Sequence, residues 1–241
     1  MKKKPANGFI LYYLGILFMF ALNINVYSQE QSTLSFGAKA GLASGTFSTK
    51  HFVDVSSSHN GYQAGIFMNY SILNYLDISL EVMYSNSGAT NLSPEYFYAA
   101  ENIVQTNKII NTSVVSNQIS IPLLLSYVFS ESPHGVFPRI YAGGDISFNL
   151  KSNSLNTYQA SFNGTNIYPT KYESIGSRMA KKDFGAIIGT AISIGDGPII
   201  YTLDARYRIG LTDINETNST YIESSLKRNI FTLMFGIGYQ F

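Results

Sequence analysis

Seven charged residues of this 241-residue chain lie at alternating positions inside otherwise apolar segments. They are Lys39, Glu81, Asp145, Asp183, Asp204, Arg206 and Arg208. Asp204, Arg206 and Arg208 follow one another at a period of two, which places all three on one face of a strand. Such groups would either neutralise one another as buried ion pairs or line a path for ions. An unpaired buried charge costs several kcal/mol, so the mixture of signs favours a structural ion-pair cluster.

The three histidines, His51, His59 and His134, are the residues to test for catalysis. His59 follows the serines at 56–58, and a Ser–His pair is the chemistry of a hydrolase or acyltransferase. No Gly-x-Ser-x-Gly motif and no defined acid partner accompany it, so the sequence predicts no catalytic residue. His51 and Asp54 provide only two ligands for a metal. No nucleotide-binding or calcium-binding motif is present, and we expect neither a metal nor a cofactor.

Strict alternation of apolar with small or polar residues dominates the chain from residue 33 onward, which is typical of strands with two different faces. One face is rich in Leu, Ile, Phe and Tyr, and the other carries Gly, Ser and the charged residues. The eight segments with this pattern are 33–43, 61–70, 76–85, 117–129, 139–150, 183–194, 199–211 and 231–241. Each is long enough for a tilted strand that crosses a membrane, which needs about 9–11 residues.

The two faces indicate which side meets lipid. The interior of an eight-stranded barrel barely holds its own side chains, so the glycine-rich face belongs inside and the large apolar face outside. A soluble barrel would place the apolar face inside instead. Links between segments alternate between short turns and long loops at 43–60, 86–112, 151–180 and 213–225. The sequence therefore predicts an all-β fold, an eight-stranded antiparallel transmembrane barrel with short periplasmic turns and long extracellular loops.

Counting upward from the short turns places Lys39, Glu81, Asp145, Asp204 and Arg206 at similar heights in this barrel. We expect them to form a plug in the lumen. The long loops at 86–112 and 151–180 are rich in Tyr, Ser, Asn and Gly, a composition of adaptable contact surfaces. Residues 95–105 are expected to form a short helix or a strand extension above the membrane.

Residues 1–28 have the features of a secretory signal peptide, namely three lysines, an apolar run and small residues before Gln29. Their removal leaves 29–241 as one barrel domain. Because these residues hold three lysines and no acid, the formal net charge falls from +1 to −2. A nearly neutral chain argues against a nucleic-acid partner. The absence of cysteine excludes a lipidated cysteine and thiol chemistry.

The final segment, FTLMFGIGYQF, must pair with the first because a spanning sheet cannot leave an open edge in lipid. Its outer row is Leu233, Phe235, Ile237, Tyr239 and Phe241. This row resembles the C-terminal signal that the barrel-assembly machinery recognises. That machinery, outer-membrane lipid and lipopolysaccharide are the partners that the sequence predicts. Aromatic belts at the two membrane interfaces are expected from Tyr70, Tyr84, Tyr127, Tyr201, Tyr239 and Phe241.

The order of motifs resembles a known family. GAKAGL at 37–42, GYQAGIF at 61–67, ISIPLLLSY at 119–127, YAGGDIS at 141–147 and LDARYRIGLTD at 203–213 carry the resemblance. Together they resemble the small outer-membrane β-barrel domain family common in Bacteroidetes, often called porin family or PorT-like. The resemblance implies an eight-stranded barrel like OmpX or the OmpA transmembrane domain in the cell outer membrane, and implies little about activity.

The function expected from the sequence is a structural or surface-recognition role through the long loops. This role includes an accessory part in an envelope or secretion complex with an unidentified protein partner. The alternative is a narrow porin-like channel for small solutes. A lipid-modifying outer-membrane enzyme is a less favoured third hypothesis.

Overall fold

The computed structural model describes residues 33–48, 56–92, 108–129, 135–162, 165–176, 179–195, 197–215 and 225–241. All of them belong to one unit, Ser32–Phe241. Within these residues no helix is long and apolar enough to cross a membrane. The predicted signal peptide at 1–28 and the segment at 95–105 lie outside the described residues.

Ten strands are present in the described part of the chain. Their bounds are β1 Leu34–Ser48, β2 Ser57–Leu73, β3 Leu76–Leu92, β4 Lys108–Val128, β5 Val136–Phe162, β6 Thr165–Ile167, β7 Thr170–Ser174, β8 Lys182–Ile194, β9 Ile199–Gly210 and β10 Lys227–Gln240. Each of the eight alternating segments of the sequence forms one of the long strands. The predicted all-β antiparallel fold is confirmed.

The eight long strands form a closed ring in which every neighbouring pair is antiparallel. The order is β4-β3-β2-β1-β10-β9-β8-β5, and β5 pairs with β4 to complete the ring. The shear follows from the residues that pair with one another around the ring. From Lys39, successive cross-strand partners on β2, β3 and β4 lead to Ser147 on β5. In the other direction, successive partners on β10, β9 and β8 lead to Phe137 on β5. These two residues are ten positions apart on β5, so the shear of the barrel is ten. Strands in such barrels tilt by about 35–45° from the axis.

The two faces of the wall differ as the alternation predicts. Outward positions are apolar and exposed, for example Leu42 at 72%, Phe235 at 58% and Ile188 at 59%. Inward positions of the wall, such as Met234 on β10 and Glu81 on β3, are buried. A wall that exposes this many large apolar side chains would associate or aggregate in water, and it is suited to hydrocarbon. The large face therefore meets lipid and the small face lines the lumen.

Three of the predicted long loops, at 43–60, 86–112 and 151–180, include residues that belong to strands. β3 continues to Leu92, β4 begins at Lys108 and β5 continues to Phe162, so much of 86–112 and 151–180 is strand. His59, predicted in the loop at 43–60, lies in β2 opposite Gly45 and Gly88. The alternation of hydrophobicity is lost here because Ser, Asn and Thr occupy both faces, although the backbone pairing continues. These parts, at 86–92, 108–117 and 151–162, together with β7, which pairs with the last of them, are called the strand extensions below.

A second change occurs at the end of β8. In the membrane part of the wall, β5 pairs with β8 as far as Phe148 and Lys182. Nearer the extracellular end, β5 pairs with β7 instead, Asn153–Thr157 with Ser174–Thr170. Ile175, directly after β7, donates its backbone N–H to the carbonyl of Ser152 at 3.0 Å. The extracellular part of the wall is thus built from β1 to β5 and β7, while β8 and β9 end lower.

Candidate functional site

The lumen is the candidate site, and its periplasmic end is occupied by a salt bridge. Asp77 and Arg139 face each other with 3.8 Å between Oδ2 and Nη1. Arg139 also donates to the hydroxyl of Ser193, which lies 2.9 Å from that of Thr202. Asp77 follows the turn after β2, and Arg139 lies near the start of β5, so both come from the short-turn end of the barrel. Neither residue was predicted as part of the lumen cluster.

Four charged side chains meet above this pair, and we call them the middle cluster: Lys39, Glu81, Asp204 and Arg206. Lys39 Nζ lies 2.5 Å from Glu81 Oε1 and 3.1 Å from Asp204 Oδ2. The Arg206 guanidinium donates to Glu81 Oε2 at 2.8 Å and Oε1 at 3.2 Å. It also donates to Asp204 Oδ1 at 3.0 Å and Oδ2 at 2.7 Å. All four carboxylate oxygens are therefore bonded to a cation.

Two aromatic residues complete the middle cluster. Tyr141 donates its hydroxyl to Asp204 Oδ1 at 2.7 Å, and the Arg206 guanidinium lies 5.4 Å from the centre of its ring. The Lys39 ammonium lies 5.5 Å from the ring centre of Phe67. The ring faces attract these cations where water is excluded. Tyr141 was not predicted as a site residue. The period of two that it shares with Asp145, four residues later, could have placed it on the inner face of the same strand.

Removing the Tyr141 hydroxyl provides a graded test of the middle cluster. We expect Tyr141→Phe to lower the free energy of unfolding by about 1.5–3 kcal/mol, the usual contribution of a hydrogen bond to a charged group. Tyr201→Phe is the matched control because Tyr201 faces outward and is 47% exposed. Urea titrations of both variants refolded in lipid vesicles measure the difference. Equal stability of the two variants would contradict a structural role for this hydrogen bond.

A second group of charges, the upper cluster, lies one level closer to the extracellular end and contains Asp145, Asp183 and Arg208. Arg208 Nε donates to both oxygens of Asp145 at 3.0 Å, and its Nη2 lies 3.1 Å from Asp183 Oδ2. Ser147 also donates to Asp145 Oδ2, and Thr212 donates to Asp183 Oδ1, each at 2.8 Å. Asp145 was expected at the height of the middle cluster, and that expectation is wrong. Its carboxylate bonds to Arg208, the next inner residue after Arg206 on β9.

Arg228 closes the upper cluster from β10. Its backbone carbonyl accepts from Arg208 at 3.2 Å, and its own guanidinium donates to Gln118 Oε1 and to Ser116 at 3.4 Å. The guanidinium also lies 5.9 Å from the ring centre of Phe47. The closing strand was predicted to begin at Phe231, and it begins at Lys227. The sequence prediction missed Arg228 because it precedes the segment with clear alternation.

The charges of this lumen stretch balance. Its cations are Lys39, Arg139, Arg206, Arg208 and Arg228, and its anions are Asp77, Glu81, Asp145, Asp183 and Asp204. Each of these carboxylates lies within 4 Å of a cation. Pairing of opposite charges offsets much of the cost of burying them, although Arg139 Nε and Arg228 Nε have no hydrogen-bond partner among the described residues. The clusters thus fill the lumen without leaving a net charge in it.

An apolar cap lies above the charged layers. Phe47, Ala89, Leu92, Val114, Ile175, Met179, Ile214 and Leu226 form one buried cluster. The first four are wall residues of β1, β3 and β4. The other four lie outside the strands, between β7 and β8 (Ile175, Met179) and between β9 and β10 (Ile214, Leu226). Backbone hydrogen bonds join these segments, from Ala180 to Ile214 and from Ile214 to Leu226. An apolar cluster of this kind opposes the passage of ions because it cannot replace their hydration shells.

A small cavity lies on this path between the charged groups. It has a volume of about 30 Å³ and lies between the periplasmic salt bridge and the middle cluster, against Lys39, Ser126, Arg139 and Tyr141. A space of that size holds one or two water molecules. It is far smaller than the 300–1,000 Å³ of a typical ligand pocket.

Aromatic side chains mark both ends of the lipid-facing surface. At the periplasmic end Tyr127 contacts Tyr75 and Phe129, with ring centres 5.9 and 5.3 Å apart, and Tyr239 contacts Phe241 at 4.9 Å. At the other end Tyr62 and Tyr84 are 6.1 Å apart. The apolar row of β4 between these ends runs from Tyr127 to Ile119. At about 3.3 Å per residue and this tilt, it spans roughly 20 Å, close to the ~25 Å band of outer-membrane barrels.

The other residues singled out in the sequence do not converge on a site. His51, Asp54 and His134 lie outside the described residues. Ser56 accepts a hydrogen bond from the backbone N–H of Phe47 at 2.8 Å, which is a structural contact at the edge of the wall. Within the described residues no three His, Cys, Asp or Glu side chains form a group that would hold a metal ion.

A closed antiparallel ring with a lipid-facing apolar wall and a filled polar lumen defines a transmembrane β-barrel of the outer-membrane type. The sequence agrees, because a family model described as "Outer membrane protein beta-barrel domain" matches residues 27–216. The chain belongs to that family, and the protein is an outer-membrane protein. No curated protein matches it in sequence.

Solved structures with a similar course of the chain are also outer-membrane barrels. Neisserial surface protein A is 16% identical, with a TM-score of 0.45, and the match covers 88% of this chain and 100% of that one. OprG from Pseudomonas aeruginosa is 12% identical, with a TM-score of 0.47 and coverages of 88% and 97%. A major outer membrane protein from Thermus thermophilus is 12% identical, with a TM-score of 0.43 and coverages of 86% and 99%.

Proposed function

We propose that the protein is a non-conducting outer-membrane barrel that acts at the cell surface through its strand extensions. The observation that carries this proposal is the filled lumen. A periplasmic salt bridge, two neutral charge clusters and an apolar cap follow one another along the axis, and the cavity between them measures about 30 Å³. The seven predicted lumen charges act in this proposal as a structural plug. The wall above the membrane is then the part available for a partner.

The strand extensions support a recognition role by their construction. They are paired strands, so a partner would meet a pre-formed surface with little loss of conformational entropy on binding. The outward row of β4 contains the polar residues Asn117 and Ser113 beside Val115, and Tyr172 on β7 is 78% exposed. Tyr with Ser and Asn is a composition common in contact surfaces.

Conductance measurements test the closed lumen. We expect the refolded protein to insert into planar bilayers without discrete current steps, because an ion would have to break the middle cluster and then cross the apolar cap. Heat-modifiable gel migration of the same sample controls for correct folding. Reproducible single-channel steps that depend on the folded protein would contradict the proposal and support the narrow porin-like channel.

Crosslinking in cells, followed by identification of the captured protein, tests the recognition role. We expect photo-crosslinkers at Tyr172 and Asn117 to capture one envelope or surface protein, in keeping with an accessory role in an envelope or secretion complex. A crosslinker at Leu42, which faces lipid, is the matched control. Equal capture from all three positions, or capture of none, would argue against a specific partner.

We further propose that the chain belongs to the PorT-like group of small barrels, on the strength of the IPLLL and RYRIGLTD motifs. A cleaved signal peptide, an assembly step through the barrel-assembly machinery and contact with lipopolysaccharide are part of the same proposal. We propose no enzymatic activity. The sequence around the histidines contains no Gly-x-Ser-x-Gly motif and no defined acid partner. Unchanged lipid A in a deletion strain is the expected result.

A further inference from the structure

Three exposed lysines lie together at the extracellular end of the lipid-facing surface. Lys182 begins β8 directly opposite Phe148 of β5, and the carbonyl of its neighbour Lys181 accepts the N–H of Asn149 at 2.9 Å. Lys151 lies two residues further along β5, opposite Asn117. The exposed side chains of Lys151, Lys181 and Lys182 therefore occupy adjacent positions where β5 and β8 part.

Apolar side chains lie directly below these lysines on the same two strands. Phe184, the next outward residue of β8, is 47% exposed, and Leu150 of β5 is 57% exposed. The pairing of β4 with β5 shifts at this point, since Asn117 faces Lys151 and Gln118 faces Asn149. This irregularity leaves Leu150 without a cross-strand partner on β4 and places it next to Lys151. Three cations thus border an apolar surface that faces the membrane.

No neighbouring acid neutralises these lysines within the described residues. On β4, β5, β7 and β8 the described acids are Asp145, Asp183 and Glu173. The first two are buried in the upper cluster. Glu173 lies 3.4 Å from Lys171 and accepts hydrogen bonds from Asn156 and Tyr158. On the other side of β8, the exposed Asp213 follows β9, and its Oδ1 accepts the backbone N–H groups of Asn215 and Leu226. None of these described acids forms an ion pair with the three lysines, so the outward face at this rim carries a net positive charge.

We propose that Lys151, Lys181 and Lys182 bind the phosphate groups of a phosphorylated glycolipid of the outer leaflet, with an acyl chain lying along Leu150 and Phe184. Lysine side chains reach from an apolar surface to the headgroup level while their stems remain in contact with it. An ammonium group is an effective point-charge partner for a phosphate. The rim lies at the end of the barrel opposite the short turns and the end of β10, which is the outer-leaflet side. This inference rests on the proposed contact with lipopolysaccharide and assigns that contact a site, and it is independent of the recognition role of the strand extensions.

Binding of purified lipid A to the refolded full-length protein tests the site. Competition titrations in detergent micelles with lipid A that carries both phosphates give the apparent Kd. We expect K151Q/K181Q/K182Q to weaken binding by at least about tenfold, since basic residues near an anionic surface each contribute to attraction. K182Q alone should weaken it by a few-fold. K171Q makes the same single charge change on the ion pair with Glu173 and should leave the Kd within about twofold.

The lipid arms of the experiment distinguish a phosphate site on a glycolipid from general attraction to lipid. Lipid A without phosphates should bind the unmodified protein weakly. Its apparent Kd should equal the one that phosphorylated lipid A shows for the triple variant. Phosphatidylglycerol should compete at least tenfold less well than lipid A. Equal binding of lipid A to the triple variant and the unmodified protein, or equal competition by phosphatidylglycerol, would overturn the proposal. Heat-modifiable migration confirms that each variant is folded, and normal conductance silence shows that the lumen is unaffected.

Discussion

Replacing Arg206 with methionine is expected to lower the free energy of unfolding of the barrel by about 3–5 kcal/mol, the usual cost of breaking a buried ion pair. Arg206 makes four of the hydrogen bonds that hold Glu81 and Asp204. Without it the middle cluster holds two carboxylates and only Lys39 to neutralise them. Methionine fills a similar length of the lumen, so the loss of charge dominates the effect.

The double variant E81M/R206M is the matched control. It removes one anion together with one cation, and the remaining pair of Lys39 and Asp204, 3.1 Å apart, is still neutral. Replacing both partners of a buried pair with apolar residues is often close to neutral. We therefore expect the double variant to be at least about 2 kcal/mol more stable than R206M, because the two changes are coupled.

Urea titrations in lipid vesicles measure both variants. The chain contains no tryptophan, so the folded fraction is followed by far-ultraviolet circular dichroism and by heat-modifiable migration on gels. An R206M variant as stable as E81M/R206M would show that the middle cluster is not held together by charge balance. The plug in the lumen would then lose its main support.

Deletion of Phe241 is expected to reduce the amount of assembled barrel several-fold while synthesis continues at its normal level. Phe241 donates its backbone N–H to the carbonyl of Leu34 at 2.9 Å. Its ring makes edge contacts with Phe36 at 6.1 Å and with Tyr239 at 4.9 Å. The residue therefore contributes to the first contacts of the seam between β1 and β10, besides its predicted role in the assembly signal.

Substitution separates these two roles. Phe241→Ala keeps the backbone contact to Leu34 and removes only the ring, so a defect equal to that of the deletion would assign the effect to the aromatic side chain. Phe129→Ala is the control, since Phe129 is another exposed ring at the periplasmic end, packed against Tyr127. Pulse labelling measures the rate of synthesis, and outer-membrane fractionation measures the rate at which assembled barrel appears. Normal assembly of the Phe241 deletion would refute the prediction of an assembly signal in this segment.

The sequence predicted the membrane-spanning part of the fold well because hydrocarbon imposes a simple rule there. Outward residues there are mostly large and apolar, and inward residues are mostly small or polar, so alternation marks the segments from 33–43 to 231–241. Above the membrane that rule ends. The stretch 151–157 has polar residues on both faces. Its pairing with β4 is made by backbone hydrogen bonds and by side-chain bonds such as Thr112 to Asn156, which hydrophobicity does not reveal.

The sequence predicted which charged residues face the lumen. It was less successful in predicting their height along the barrel axis. The period of two put Asp204, Arg206 and Arg208 on the inner face, but which strand each of them meets depends on the shear and on bulges. Asp145 was therefore assigned to the wrong level. The cap was not predicted, because Ile175, Met179 and Ile214 lie in segments without periodicity, and only tertiary packing brings them over the lumen.

The pairing of β1 with β10 also has a consequence for how quickly the molecule folds. Ser35 pairs with Gln240, so the residues joined there are about as far apart along the chain as any two in the barrel. Contacts of such high sequence separation are slow to form, because a long loop must close before they contribute. Until that happens both strands present unpaired edges that favour aggregation. We expect ring closure to limit the rate of folding in vesicles and to make a periplasmic holdase chaperone necessary in the cell.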